Sequence, residues 1–168
     1  MISKINFLFV TLFGIGKIKK IPGSFASLAT TILLFFLFHI LNISPNIVLI
    51  SVIIIFSISL YAVNVFTKNL ENKDPKEIVI DEFIGQSIPI YLYEIAHGTE
   101  KNPQDAILFY IYIFILFRFF DIKKPFPINF FDKKFKNSFG VVIDDVIAGL
   151  YVVLTLIIFM IIKSKLFI

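Results

Sequence analysis

Residues 47–66 read IVLISVIIIFSISLYAVNVF. A run of that length with no formal charge matches the roughly 20 residues a helix needs to cross the hydrocarbon core of a bilayer. Just before it, Ser27–Ile43 is also free of formal charge. Three further apolar segments follow, at Phe83–Ile95, Ala106–Phe120 and Val146–Ile162. The first, second and fifth segments are long enough to span. The third and fourth are shorter, and read either as tilted spans extended by their flanks or as helices packed inside a bundle.

Composition agrees with this pattern. The 168 residues are 58% hydrophobic and 17% charged, with mean hydropathy +0.90, where soluble domains are about 45–50% apolar. The expected fold is all-α: a compact helical bundle embedded in the membrane, one domain over residues 1–168, with about five hydrophobic helices. No 20–50-residue repeat is present. The absence of Cys excludes disulfides, thiolate metal sites and a cysteine nucleophile. The net charge of +4 suits an anionic partner. The hydrophobicity assigns that partner to membrane lipid rather than nucleic acid, since no basic patch stands apart from the apolar helices.

Lysine placement sets an orientation. The N-terminal INFLFVTLF (residues 5–13) resembles an export signal, but Lys17, Lys19 and Lys20 behind it oppose export, so it reads as a surface-lying amphipathic or half-buried segment. With the N-terminus in the cytosol and all five segments crossing, only Lys101, Lys163 and Lys165 of the 16 basic residues fall outside. Lys4, Lys68, Lys73, Lys76, Arg118, Lys123, Lys124, Lys133, Lys134 and Lys136 join the early lysines inside, as the positive-inside rule expects.

That arrangement brings the acids of the chain to one level. Residues 78–85 read IVIDEFIG and residues 141–150 read VVIDDVIAGL. Asp81 with Glu82, and Asp144 with Asp145, enter helices from the cytosolic face, and Arg118 and Asp121 lie where the fourth helix returns to it. Acids in a first helical turn are ordinary caps that complement the dipole, contributing about 0.3–1 kcal/mol each. Adjacent acids beside hydrocarbon are a different matter, because they repel and are costly to keep ionised without a cation or base. Gly85 and Gly149 each follow an acid by four residues, which shares a helix face and permits close helix approach. Five converging carboxylates, Asp81, Glu82, Asp121, Asp144 and Asp145, would form a hard oxygen site suited to Mg2+.

The neighbouring residues have two readings each. Arg118 and Asp121 form either an i,i+3 surface pair worth about 0.2–0.5 kcal/mol or, with Lys124, a phosphate grip beside the metal. Pro22-Gly23-Ser24 is either a helix start with Ser24 as cap or a set of N–H groups for a phosphate. His39 reads as a packed or pore-side residue, His97 as a loop residue and Asp132 as a solvated loop acid.

Taken together, these stretches resemble the phosphatidylglycerophosphatase A family. The resemblance rests on Gly14-x-Gly16, Pro22-Gly23-Ser24, Asp74-Pro75-Lys76-Glu77 running into Asp81-Glu82-Phe83-Ile84-Gly85-Gln86, Arg118-x-x-Asp121-x-x-Lys124-Pro125-x-Pro127-Ile128, and Gly140 through Asp144-Asp145-x-x-Ala148-Gly149. It departs at Ser24 and Ala26, where the family usually has Thr and Gly, and in the basic spacer Lys17, Lys19 and Lys20. The resemblance implies a helical, Mg2+-dependent, multi-pass enzyme of the bacterial inner membrane. It would hydrolyse phosphatidylglycerophosphate to phosphatidylglycerol and phosphate with its site facing the cytoplasm. Asp81, Asp144 and Asp145 would hold the metal, with Glu82 and Asp121 as further ligand or base, and Arg118, Lys124 and Pro22-Gly23-Ser24 would bind phosphate. Both a metal-activated water and a covalent aspartyl-phosphate fit this residue set.

Three rivals are weighed against it. A CDP-alcohol phosphotransferase would carry a D-x-x-D-G-x-x-A-R-type motif, which is absent. A His-dependent lipid phosphatase would place its histidines in a Ser-Gly-His context, also absent. A small cation channel or transporter would use the carboxylate cluster as an ion site, and would need polar residues through the membrane midplane, where the first two spans carry only scattered Ser, Asn and His.

Overall fold

The computed structural model describes residues 3–72, 74–98, 103–135 and 137–166. Lys73, Lys101 and Lys136 of the orientation argument lie outside the described residues, as do the side chains of Asp132 and Lys133. The described chain is helical with no strand. A short amphipathic helix, α1 (Lys4–Val10), is capped by Ser3 Oγ accepting from the Asn6 N–H. A tight loop containing a 3-10 turn at Ile15–Lys17 follows. Then come α2 (Pro22–Phe35), extended to Ile40 by a wider π turn, α3 (Pro45–Thr67), α4 (Ile80–His97) and α5 (Pro103–Lys123). A short α6 (Ile128–Lys134) and the long α7 (Ser138–Leu166) complete the bundle. Pro22 and Pro45 open α2 and α3, where a missing N–H costs nothing and the fixed φ is already helical.

The two acid-bearing helices make the bundle's most extensive contact. α4 is enclosed by α7, α2, α3 and α5, and its apolar and polar faces are both buried: Ile80, Asp81, Ile84, Gln86, Ser87, Ile90 and Glu94 all lie inside. Glycines allow this approach. A Cβ at Gly85 would meet the Asp145 carbonyl at 2.6 Å, and one at Gly149 would overlap the Gly85 carbonyl. The shared spacing from acid to glycine thus sets two backbones in contact at the level of the acids. One apolar cluster, with Leu34, Phe38, Ile90, Ile113 and Phe117, fills the far part of the bundle. A second, with Val10, Val63, Ile80, Ile84 and Val142, packs α1 and α3 against the start of α4.

Three helices are long and apolar enough to cross a membrane: Pro22–Ile40, Pro45–Thr67 and Ser138–Lys165. These contain the second and fifth apolar runs and most of the first. α4 and α5, the third and fourth, are not among them; α4 is largely enclosed by its neighbours.

Several boundaries differ from the sequence reading, each for a local reason. α7 begins at Ser138, not near Val146, because Phe139–Ile143 packs as helix ahead of the acids; Asp144 and Asp145 therefore sit well inside the helix rather than in its first turn. Dipole capping explains nothing about that pair. Ser24 is no cap: Ile21, at φ +49, occupies that position, and Ser24 is already helical. His97 belongs to the last turn of α4, which closes when the Gly98 N–H, at φ +78, returns to the Glu94 carbonyl.

Candidate active site

One end of the bundle gathers the start of α2, the start of α4, the end of α5 and the early part of α7 around a cavity of about 600 Å3. Every residue singled out from the sequence lines it: Pro22, Gly23, Ser24, Asp81, Glu82, Arg118, Asp121, Lys124, Asp144 and Asp145. The carboxylates do not behave alike, however. Asp81, Glu82 and Asp145 each offer an oxygen within 4.8 Å of the other two, a separation one cation can bridge. Asp144 lines the same cavity but is paired: its Oδ2 lies 2.6 Å from Lys124 Nζ. Asp121 lies beside the trio and pairs with Arg118 at 2.7 Å.

Backbone geometry makes this division possible. In both acid pairs the first carboxylate accepts the N–H of the second: Asp81 Oδ1 from Glu82, and Asp144 Oδ1 from Asp145, each at 3.1 Å. Lys124 reaches Asp144 because α5 ends one residue earlier and Lys124 itself takes a left-handed conformation, φ +42, that turns the chain back. Tyr151 on α7 then holds the following turn, its hydroxyl donating to the Phe126 carbonyl at 2.6 Å.

Arg118 is placed by three partners. Its Nη1 lies 2.7 Å from Asp121 Oδ2, 3.3 Å from the Ser27 hydroxyl and 3.9 Å from Glu82 Oε1. Gly23, one turn before Ser27, leaves room for this arrangement, since a Cβ there would overlap Glu82 Oε1 and approach Arg118 Nη1 at 3.4 Å. Ser27 was not legible as a site residue, although it stands four residues after Gly23 and so shares its face. Asp74, Lys19 and Lys76 also line the cavity without having been singled out for it.

The electrostatics favour a missing positive charge. Burial first, then the Glu82 charge, pushes Asp81 well above the usual carboxylate range. Burial, then the Asp145 charge, pushes Glu82 up to about 8, against the pull of Arg118. Among the described residues Glu82 Oε2 and Arg118 Nε are both buried without a hydrogen-bond partner, an arrangement that costs about 1–3 kcal/mol per group unless a ligand completes it. An oxygen-only set of three carboxylates fits a hard divalent cation such as Mg2+ or Ca2+, and offers nothing to a metal that prefers nitrogen or sulfur. The unpartnered guanidinium nitrogen fits an oxyanion beside it.

At the other end of the bundle lies a polar pair that the sequence did not announce. His39 Nε2 is 3.1 Å from Glu94 Oε1, both side chains being buried, against Phe35 and Tyr110. His39 is thus a packed residue as expected, but with an ionisable partner 55 positions away.

Comparison with known proteins identifies the family. The profile of the Phosphatidylglycerophosphatase A family matches residues 8–160. The chain is 39% identical over 142 residues to the phosphatidylglycerophosphatase A of Haemophilus influenzae, covering 84% of this chain and 80% of that one. It is 28% identical over 138 residues to the Escherichia coli phosphatidylglycerophosphatase A, covering 82% and 73%. It is also 29% identical over 142 residues to a Bacteroides thetaiotaomicron protein provisionally named a phosphatidylinositol-3-phosphatase, covering 83% of each. No solved structure matches the chain.

Proposed function

Since the chain belongs to the phosphatidylglycerophosphatase A family, we propose that it is a Mg2+-dependent phosphomonoesterase, a single domain in the bacterial inner membrane that hydrolyses phosphatidylglycerophosphate to phosphatidylglycerol and inorganic phosphate at its cytoplasmic face. The observation that carries this reading is the juxtaposition, in one cavity, of the Asp81, Glu82 and Asp145 oxygens with the Arg118 guanidinium.

A phosphomonoester dianion repels both carboxylates and nucleophiles. Asp81, Glu82 and Asp145 would hold Mg2+, which when bound neutralises that charge and polarises the phosphoryl oxygens. Arg118, held in place by Asp121 and Ser27, would present its planar fork to the equatorial oxygens. Asp121 and Asp144 complete the acid set as further ligand or general base. Lys124 adds positive charge and pairs with Asp144. The Pro22-Gly23-Ser24 start of α2 supplies a positive helix end with no side-chain cap on the cavity wall. In the net reaction the elements of water add across the P–O ester bond. Oxygen goes to phosphorus and the proton to the departing glycerol oxygen, with no change of oxidation state.

The direct test is phosphate release from phosphatidylglycerophosphate in mixed micelles, with Mg2+ and with excess chelator. The reading expects turnover in the first and none in the second. Ion flux through protein-containing liposomes, with no phosphate release, would transfer the carboxylate cluster to a channel or transporter.

A further inference from the structure

The acidic cavity is not closed on its α2 side. It shares Lys19, Pro22 and Lys76 with an adjoining cavity of about 410 Å3 lined also by Phe7, Gly16, Lys17, Ile18 and Glu77. That cavity in turn shares Phe7 and Lys17 with a third, bounded by Lys4 and Leu8 of α1. The three adjoin through these shared residues as a track along the surface. Its lining runs from the carboxylates and guanidinium, past Lys19 and Lys76, to Phe7 and Leu8 of α1, with Lys17 and Lys4 beside them.

The loop geometry that makes the track is specific. Gly16 lets the loop after α1 lie directly on the Glu77 backbone, where a Cβ would overlap the Glu77 carbonyl. The Val79 N–H donates to the Val10 carbonyl at 3.0 Å, fixing the end of α1 against the entry to α4. Lys19 and Lys76 are thereby set on the two sides of one opening. Both are exposed and neither forms an ion pair among the described residues. Lys17 lies over the Phe7 ring, 4.6 Å from its centroid.

We propose that Lys19 and Lys76 form a second anion subsite, which takes the phosphodiester of a glycerophospholipid while the terminal monoester occupies the floor. The proposal rests on the phosphatidylglycerophosphate reading. That substrate carries two phosphates in series, and the track presents cationic groups in the same order, floor first and opening second. Beyond the diester comes the diacylglycerol, and beyond the lysines come Phe7, Ile18 and Leu8. Charges at such an opening act on an anionic lipid over about a Debye length, and Lys serves as a point charge where no planar fork is needed.

The test separates diester binding from catalysis. Dihexanoyl phosphatidylglycerol, below its micellar concentration, is titrated by calorimetry into the full chain in zwitterionic detergent. It carries the diester and no monoester. Wild type should bind it, Lys19→Gln/Lys76→Gln should bind at least about tenfold more weakly, and Lys19→Arg/Lys76→Arg should retain binding. In parallel, the ratio of kcat/KM for phosphatidylglycerophosphate over phosphatidic acid, which has a monoester but no diester, should fall about tenfold in the Gln variant. Unaltered binding in the Gln variant, or no binding in wild type, overturns the subsite even if phosphate release is normal. Binding that follows the lysines in a protein that releases no phosphate would leave the subsite standing and remove the phosphatase reading instead. Equal losses on both substrates would assign the lysines to general attraction for anionic lipid and overturn the subsite.

Discussion

The two acid pairs are nearly the same words in the sequence, Ile-Asp-Glu-Phe-Ile-Gly and Ile-Asp-Asp-Val-Ile-Ala-Gly, yet the fold uses them differently. Asp81 and Glu82 stand in the first turn of α4, where dipole and free N–H groups already favour negative charge, and both join the metal-competent trio. Asp144 and Asp145 stand well inside α7, with no such support, and they divide: Asp145 joins the trio while Asp144 turns to Lys124. A motif thus specifies that acids will meet at one level. Asp144, unlike the other three, is paired with a lysine 20 positions away in sequence.

The largest effect should come from breaking the trio. Asp81→Asn and Asp145→Asn keep shape and remove one ligand charge, and should each lower kcat by on the order of 10³-fold or more, about 4 kcal/mol, with little change in melting temperature. Turnover within a few-fold of wild type in Asp145→Asn would remove the α7 pair from the chemistry altogether.

Next comes Arg118→Lys. A surface ion pair would be worth about 0–1 kcal/mol, but a guanidinium held by Asp121 and Ser27 cannot be reproduced by an ammonium. A fall in kcat/KM of about 10²-fold, or about 2.7 kcal/mol, is expected in steady-state kinetics. Wild-type kinetics would return Arg118 to a scaffold role.

These expectations show what was legible. The level of the acids is readable because both acid pairs and the Arg118–Asp121 pair stand at the same ends of apolar runs, and Gly85 and Gly149 announce the close contact by their spacing. The division of labour is not, since it depends on a left-handed residue at Lys124 that no local pattern signals. The start of α7 was misplaced for a related reason: charge was taken to end the apolar helix, whereas close packing with α4 carries it through. α4 was ambiguous between span and packed helix because a helix buried on all sides by protein has the same apolar composition as a short one in lipid. The His39–Glu94 pair was invisible, as each residue alone looks like an isolated polar group and only α2 beside α4 joins them.

A smaller effect is a pH dependence. With Glu82 pushed up to about 8, the carboxyl holds its proton below that pH, and a cation must displace it. Mg2+ affinity should therefore rise by up to about tenfold per pH unit as pH approaches 8, and level off above it. Calorimetry in buffers of different ionisation enthalpy would show the proton released. An affinity independent of pH between 6 and 8 would mean that the cation does not bind Glu82. The smallest effect is expected where the two pairs differ most: Asp144→Asn and Lys124→Ala should each reduce kcat/KM by only about tenfold. Their double variant should be no worse than either alone if the pair acts as a unit.

The difference between the pairs is tested most directly by metal binding without turnover. Mg2+ is titrated by calorimetry into wild type, Asp81→Asn, Asp145→Asn and Asp144→Asn at one pH, with circular dichroism confirming equal helicity. The trio of Asp81, Glu82 and Asp145 predicts that binding disappears in the first two variants and survives in Asp144→Asn. Binding lost in Asp144→Asn and kept in Asp145→Asn would contradict it.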